Sequence, residues 1–265
     1  MNGMTIGQYY PVNSRIHRLD PRVKLVAAFI YITMLFLVKN FWGYLFAAFF
    51  VSLTIYASKV PIIYMLRGLK NIIFIITFML VMNIFFTKGE RVLFSIWKIS
   101  VTMEGLILSA RMAVRLILLV VGTSILTLTT SPIQLTDGIE YLLKPFKRFG
   151  VPAHEIAMMM SIALRFIPTL VEELDKIMKA QKARGADFDT GGLMKKAKSL
   201  IPLLVPLFIS AFRRADELAM AMEARCYRGD YNRTRMKEMK LYPHDYRFMA
   251  MVGAFCIAVI GSRFV

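Results

Sequence analysis

Residues 181–185 read Gln181-Lys182-Ala183-Arg184-Gly185, and residues 223–226 read Glu223-Ala224-Arg225-Cys226. Each Ala-Arg closes a long stretch of helical apolar period. In the first, Ile167, Leu170, Val171, Leu174, Ile177 and Met178 keep the three-four spacing of one helix face. Arg184 lies seven residues after Ile177 and fourteen after Leu170. Seven residues make almost two full turns, so the guanidinium continues the apolar line. In the second, Leu204, Leu207, Phe208, Ala211, Ala215, Leu218, Ala219 and Met222 form the stripe, and Arg225 lies seven after Leu218. The alanine before each arginine leaves room for close approach, and Gly185 can end its helix in a left-handed turn. A single arginine at a helix C-terminus is an ordinary complement to the helix dipole. Two such tips, 41 residues apart, read as a pair of plugs for a partner with two similar sockets. The sockets should be acidic, because a planar guanidinium pairs a carboxylate bidentately.

Around these helices the chain reads as membrane. Of its 265 residues 57% are hydrophobic, and mean hydropathy is +0.55, too apolar for an ordinary soluble domain. The net charge of +17 is uneven: 14 of 17 acids and 19 of 34 bases lie in 131–246. Basic residues beside apolar runs set topology and meet anionic lipid. No recognition motif accompanies the charge, so nucleic acid is not expected as a partner. Cys226 and Cys256 are far apart in different settings, which points away from a structural disulfide.

Taken in order, residues 1–24 are a polar arm whose Asp20 and Pro21 suit the cap and first position of a helix. Runs 25–38 and 41–57 suggest a tight transmembrane hairpin, each a little short of the roughly 20 residues a span needs. Lys24 and Lys39 can lengthen the first by snorkelling. A basic turn at 58–70 leads to a third span at about 72–86. Residues 88–100 read as a mixed loop with an interfacial Trp97. The apolar run 116–128 must recruit 103–114 to cross, which brings Arg111 and Arg115 to the membrane edge: they either snorkel outward or face a partner or polar cavity. Ser131-Pro132-Ile133-Gln134 is a capping box. Helices follow to about 146, from 153 to 185 with a bend at Pro168, and from 193 to 225 disturbed by Pro202 and Pro206. A last span begins near 248. The expectation is an all-α membrane protein of about five transmembrane helices. Its parts would be an arm with four spans at 1–130, a domain of long amphipathic helices at 131–246, and a final span at 247–265. Arg15, Arg18, Arg22 and Lys24 place the N-terminus in the cytoplasm, and the count of spans puts 131–246 there too.

The chain carries no G-x-x-x-x-G-K-[ST] loop, nucleophile elbow or H-E-x-x-H, and His17, His154 and His244 are scattered. No catalytic or metal site is expected, and no cofactor on this chain.

Six stretches carry a resemblance: Leu19-Asp20-Pro21-Arg22-Val23-Lys24-Leu25, Thr130-Ser131-Pro132, Ala163-Leu164-Arg165-Phe166-Ile167-Pro168, Gln181-Lys182-Ala183-Arg184-Gly185, Arg214-Ala215-Asp216-Glu217-Leu218 and Ala221-Met222-Glu223-Ala224-Arg225. They resemble the transmembrane (T) component family, EcfT, of energy-coupling factor transporters, ABC-type importers of vitamins and some metal ions. The resemblance implies a non-catalytic subunit in a bacterial or archaeal cell membrane with a cytoplasmic coupling domain. Ala183, Arg184 and Gly185, and Ala224, Arg225 and Cys226, would sit in grooves of two ATPase subunits of the EcfA and EcfA′ type, which bind ATP and Mg. An apolar surface would hold a substrate-binding S component. Candidates for it are Met158, Met159 and Met160, since methionine suits adaptable contacts, with Leu204, Leu207, Phe208 and Ala211. Cys226 stands where the family has glycine, and cysteine accepts positive φ poorly, so the shape of the second helix end is open. The rival expectation is a permease that itself forms the substrate path, either a conventional ABC permease or an ion-coupled carrier. The few acids in the spans weigh against a carrier.

Overall fold

The computed structural model describes residues 9–87, 92–96, 99–186, 188, 192–229 and 239–263. The chain divides into two compact units, 1–138 with 237–265, and 139–236.

The first unit is built from α1 (Pro21–Leu37), α2 (Phe41–Ser58), α3 (Ile62–Phe86), α4 (Met103–Thr129), the start of α5 (Pro132–Leu143) and α8 (Pro243–Gly261). Asp20 caps α1 as its sequence suggests: its carboxylate accepts from the Arg22 N–H at 2.9 Å, with Pro21 at the first position. The run 103–114 does extend the fourth helix, giving 27 residues, about 40 Å. At the Ser131 capping box the Gln134 N–H donates to the Ser131 hydroxyl at 3.3 Å, and the Ser131 N–H donates to the Gln134 amide oxygen at 3.1 Å. The core gathers Leu35, Tyr44, Ala47, Val51, Ile125, Leu128 and Val259 around an aromatic stack of Tyr31, Phe50 and Phe255. The Tyr31 hydroxyl donates to the Leu118 carbonyl at 2.8 Å, and its ring comes close against Gly122. A Cβ on Gly122 would stand 2.3 Å from that ring.

By length and composition α2, α4 and α6 (Ala153–Ala183) can cross a membrane, and α3 makes a fourth if its two halves, bent by 56°, act as one span. This differs from the expected five. α1, at 17 residues, is short for a span, and α8 carries Asp245 and Arg247 in its first turns. Two further expectations are corrected here. Residues 88–100 are not simply loop: β1 (Val92–Ile96) and β2 (Ile99–Thr102) form an antiparallel ribbon. Trp97 lies outside the described residues. Lys24 does not snorkel. It is buried, and its ammonium donates to the Thr129 carbonyl at 2.9 Å and the His17 carbonyl at 3.2 Å. It thereby satisfies an orphan carbonyl at the C-terminal end of α4.

Around that ammonium the unit is tied by polar bonds the sequence did not reveal. Asp245 is fully buried at the start of α8. One carboxylate oxygen accepts from the Asp20 N–H at 2.9 Å and the other from the Tyr242 N–H at 2.8 Å. Arg22 grips the Asp20 carboxylate through Nε at 3.0 Å and Nη2 at 2.8 Å, and donates to the Met239 carbonyl. Burial pushes the Asp20 carboxyl upward, but Arg22, through side chain and backbone, and Lys24 outweigh it and hold the group below the usual carboxylate range. The arm and the start of α1 are thus fastened toward α8 by bonds across more than 200 residues of sequence, and to the end of α4 by bonds across more than 100.

Arg115 is resolved between its two alternatives. Its guanidinium donates to the Val38 carbonyl at 2.9 Å and lies 5.9 Å from both the Phe36 and Tyr44 ring centres. The charge is held against the α1–α2 hairpin by aromatic faces. Arg111 is exposed.

Candidate functional site

The second unit contains the rest of α5, a 3-10 turn (Lys144–Phe149), α6 of 31 residues and α7 (Leu193–Ala224) of 32. At 1.5 Å per residue the two long helices run about 46 and 48 Å. Pro168, Pro202 and Pro206 all lie inside continuous helix. Each removes one backbone bond without ending the helix.

α6 and α7 pack on each other. Leu203 is buried, and Leu207, Ala211, Leu218 and Met222 are half-buried. Arg214 reaches Glu173 across the pair at 3.2 Å. The single stripe read from sequence is therefore two faces. Ala215 and Ala219 point outward. Leu204, Val205, Phe208, Ile209 and Phe212 form an exposed apolar face, 45–67% accessible. Of the candidate docking residues, Leu204 and Phe208 lie on that outer face, and Leu207 and Ala211 line its inner edge. On α6, Met159 is 58% exposed, while Met158 and Met160 are half-buried.

The two arginine tips have nearly the same backbone. Arg184 is the C-cap of α6 at φ −86°, ψ 7°, and Arg225 is the C-cap of α7 at φ −92°, ψ 13°. After Arg184, the Gly185 N–H donates to the Lys182 carbonyl at 3.0 Å and the Ala186 N–H to the Gln181 carbonyl at 3.0 Å. After Arg225, the Cys226 N–H donates to the Glu223 carbonyl at 2.8 Å and the Tyr227 N–H to the Met222 carbonyl at 3.0 Å. Both sets are the paired 6→1 and 5→2 bonds of a Schellman cap. Gly185 sits at φ +86° and Cys226 at φ +54°. The question left open by the sequence is answered: cysteine takes the left-handed place of glycine, and the two ends have the same shape. Ala183, Arg184, Gly185, Ala224, Arg225 and Cys226 are all exposed. Among the described residues, neither guanidinium has a hydrogen-bond or ion-pair partner.

A family model described as CbiQ, cobalt transport protein, matches residues 12–237. The chain belongs to the CbiQ family. The match takes in both arginine tips of this CbiQ-family chain. The chain is similar to the energy-coupling factor transporter transmembrane protein EcfT of Thermosediminibacter oceani, 56% identical over 265 residues and the full length of both. It is 58% identical over 258 residues to the protein of that name from Clostridium kluyveri, covering 97% of this chain and 94% of the relative. With that of Ruminiclostridium cellulolyticum identity is 53% over 262 residues, 99% and 98% of the two chains.

In this family member the Arg214–Glu173 bond was not legible from periodicity. Glu172 and Glu173 sit side by side, and only the packing of α6 on α7 separates exposed Glu172 from bonded Glu173. Arg214 stands in the stretch Arg214-Ala215-Asp216-Glu217-Leu218, and a basic residue beside an apolar seam is the signal that points to such a pair.

Proposed function

We propose that this chain is the transmembrane scaffold and energy-coupling subunit of an energy-coupling factor importer for a vitamin or metal ion. In this reading it is non-catalytic, and two ATPase subunits bind the ATP and Mg. The observation that carries the reading is the pair of helix ends: the same cap, a left-handed closing residue in each, and an exposed guanidinium with no partner among the described residues. Each tip suits an acidic groove on one ATPase.

The mechanics follow from the caps. Because each arginine is held by its helix's closing bonds, it cannot move without moving the helix. Closure of the ATPases would swing α6 and α7 as levers, with the α6–α7 seam and the Arg214–Glu173 bond keeping them coupled. The exposed face of Leu204 and Phe208, together with Met159, would carry that motion to a substrate-binding S component in the membrane. Against the rival reading, in which the chain forms the path itself, the cavity among α1, α2, α4 and α8 is about 50 Å³ and has Lys24 in its wall. That is room for a few waters.

Copurification tests the assignment. The unaltered chain should bring down two ATPase subunits. Arg184→Glu with Arg225→Glu should lose them while the chain still inserts and remains folded. Retention of both ATPases by the double variant would remove the arginines from the contact.

A further inference from the structure

The 3-10 turn between α5 and α6 takes no part in either arginine tip, yet its composition is distinctive. Residues 144–149 read Lys-Pro-Phe-Lys-Arg-Phe, and every one of them is exposed. Phe146 is 51% and Phe149 83% accessible, with ring centres 6.4 Å apart. Just before them Tyr141 is 48% exposed. Two large apolar rings standing in solvent are costly to leave uncovered.

The turn is held in place. Gly150 closes it at φ +82°, its N–H donating to the Lys147 and Phe146 carbonyls. The rings are therefore presented by fixed backbone. The charge beside them is all of one sign. Lys144 and Arg148 stand exposed beside the two phenylalanines, and the one acid in the sequence 139–153, Glu140, lies 3.1 Å from His154. Lys144 follows the end of α4, a helix able to cross a membrane, by 15 residues.

We propose that Lys144–Phe149 is an interfacial anchor that seats the second unit on an anionic lipid surface. Phe146 and Phe149 enter the boundary between headgroups and acyl chains. Lys144 and Arg148 lay their stems along it and meet lipid phosphates. A neutral partner surface would satisfy the rings but waste the exposed cations Lys144 and Arg148. An acidic protein groove would take the cations but bury two rings against charge. An anionic bilayer accepts both at one depth. The anchor would fix the root of α6, leaving its arginine tip as the moving end.

The test uses the full-length chain with Trp42→Phe, Trp97→Phe and Phe149→Trp, so that one tryptophan reports from the turn. It is reconstituted in vesicles of phosphatidylglycerol and, separately, of phosphatidylcholine. In phosphatidylglycerol the emission should shift to the blue, resist aqueous acrylamide, and be quenched by lipids brominated near the headgroup. That quenching should fall in phosphatidylcholine, and be lost when Lys144→Glu and Arg148→Glu are added. Three outcomes overturn the proposal: a tryptophan open to acrylamide in both lipids, equal quenching in both lipids, or protection that appears only when partner subunits are added. The last would make the turn a protein contact.

Discussion

At residue scale the most informative position is Cys226. A non-glycine residue in left-handed conformation costs roughly 1 kcal/mol relative to glycine, and Cys226 carries that cost at φ +54° to keep the cap. Cys226→Gly should therefore raise thermal stability of the second unit and leave the copurification of partners unchanged. A drop in melting temperature would mean that the thiol makes a contribution the backbone does not. His17 gives a second residue-scale outcome. Its ring bonds the Ser14 hydroxyl at 2.7 Å and the Tyr10 carbonyl at 2.9 Å. Burial, with Lys24 adding to it against the pull of the carbonyls, lowers its pKa below the ordinary value. The fold thus prefers neutral imidazole. As pH falls below about 6.5 the unfolded chain takes the proton first, so stability declines until the folded pKa is passed. Melting followed from pH 7 to pH 5 should show that decline, and His17→Gln should flatten it. Asp20, whose pKa is also lowered, acts in a separate and more acid window, its contribution fading as pH drops through its folded pKa. Asp245 has no exposure and accepts from two backbone N–H groups. Asp245→Ala should cost about 2–5 kcal/mol by orphaning both, and Asp245→Asn less, since one acceptor survives. Denaturation in detergent measures both.

At the scale of elements, Gly122→Ala is the sharpest probe of how α1 meets α4. The added methyl would strike the Tyr31 ring. Either the ring leaves its bond to Leu118 or the helices part, an overpacking loss of about 1–3 kcal/mol. A variant as stable as the parent would show that the seam yields freely. The Arg214–Glu173 bond, at 37% and 25% side-chain exposure, should give a coupling of no more than about 1 kcal/mol in a double-mutant cycle. Helix starts and ends were the legible part of the sequence, because their signals are local. Asp20-Pro21, the Ser131 box, Gly150 and Gly185 each mark a boundary the structure keeps. What depends on partners distant in sequence was not legible. Lys24 read as a snorkelling base because nothing nearby announces the Thr129 carbonyl. Asp245 carried no signal of its own in the sequence, since its partner Asp20 lies 225 residues away. The two faces of α7 merged into one stripe because apolar residues occupy both, and periodicity cannot say which face a neighbour covers. The ribbon of β1 and β2 leaves little sequence signal because neither strand exceeds five residues.

For the whole molecule, the two units divide structure and proposed work. The first is tied by bonds that join the arm, the end of α4 and the start of α8, and α1, α2 and α8 meet in one aromatic stack. The second adds two long helices with matched ends and an exposed apolar face on α7. Membership of the CbiQ family agrees with that division without assigning any residue its role. Coupling is a property of the assembled transporter, and ATP-driven uptake in proteoliposomes measures it. The chain should be assembled with the two ATPases and the S component proposed as its partners, and compared with the same assembly carrying Arg184→Glu and Arg225→Glu. Uptake should fall to the level seen without ATP in the double variant. Undiminished ATP-driven uptake would contradict the coupling role of the two arginine tips.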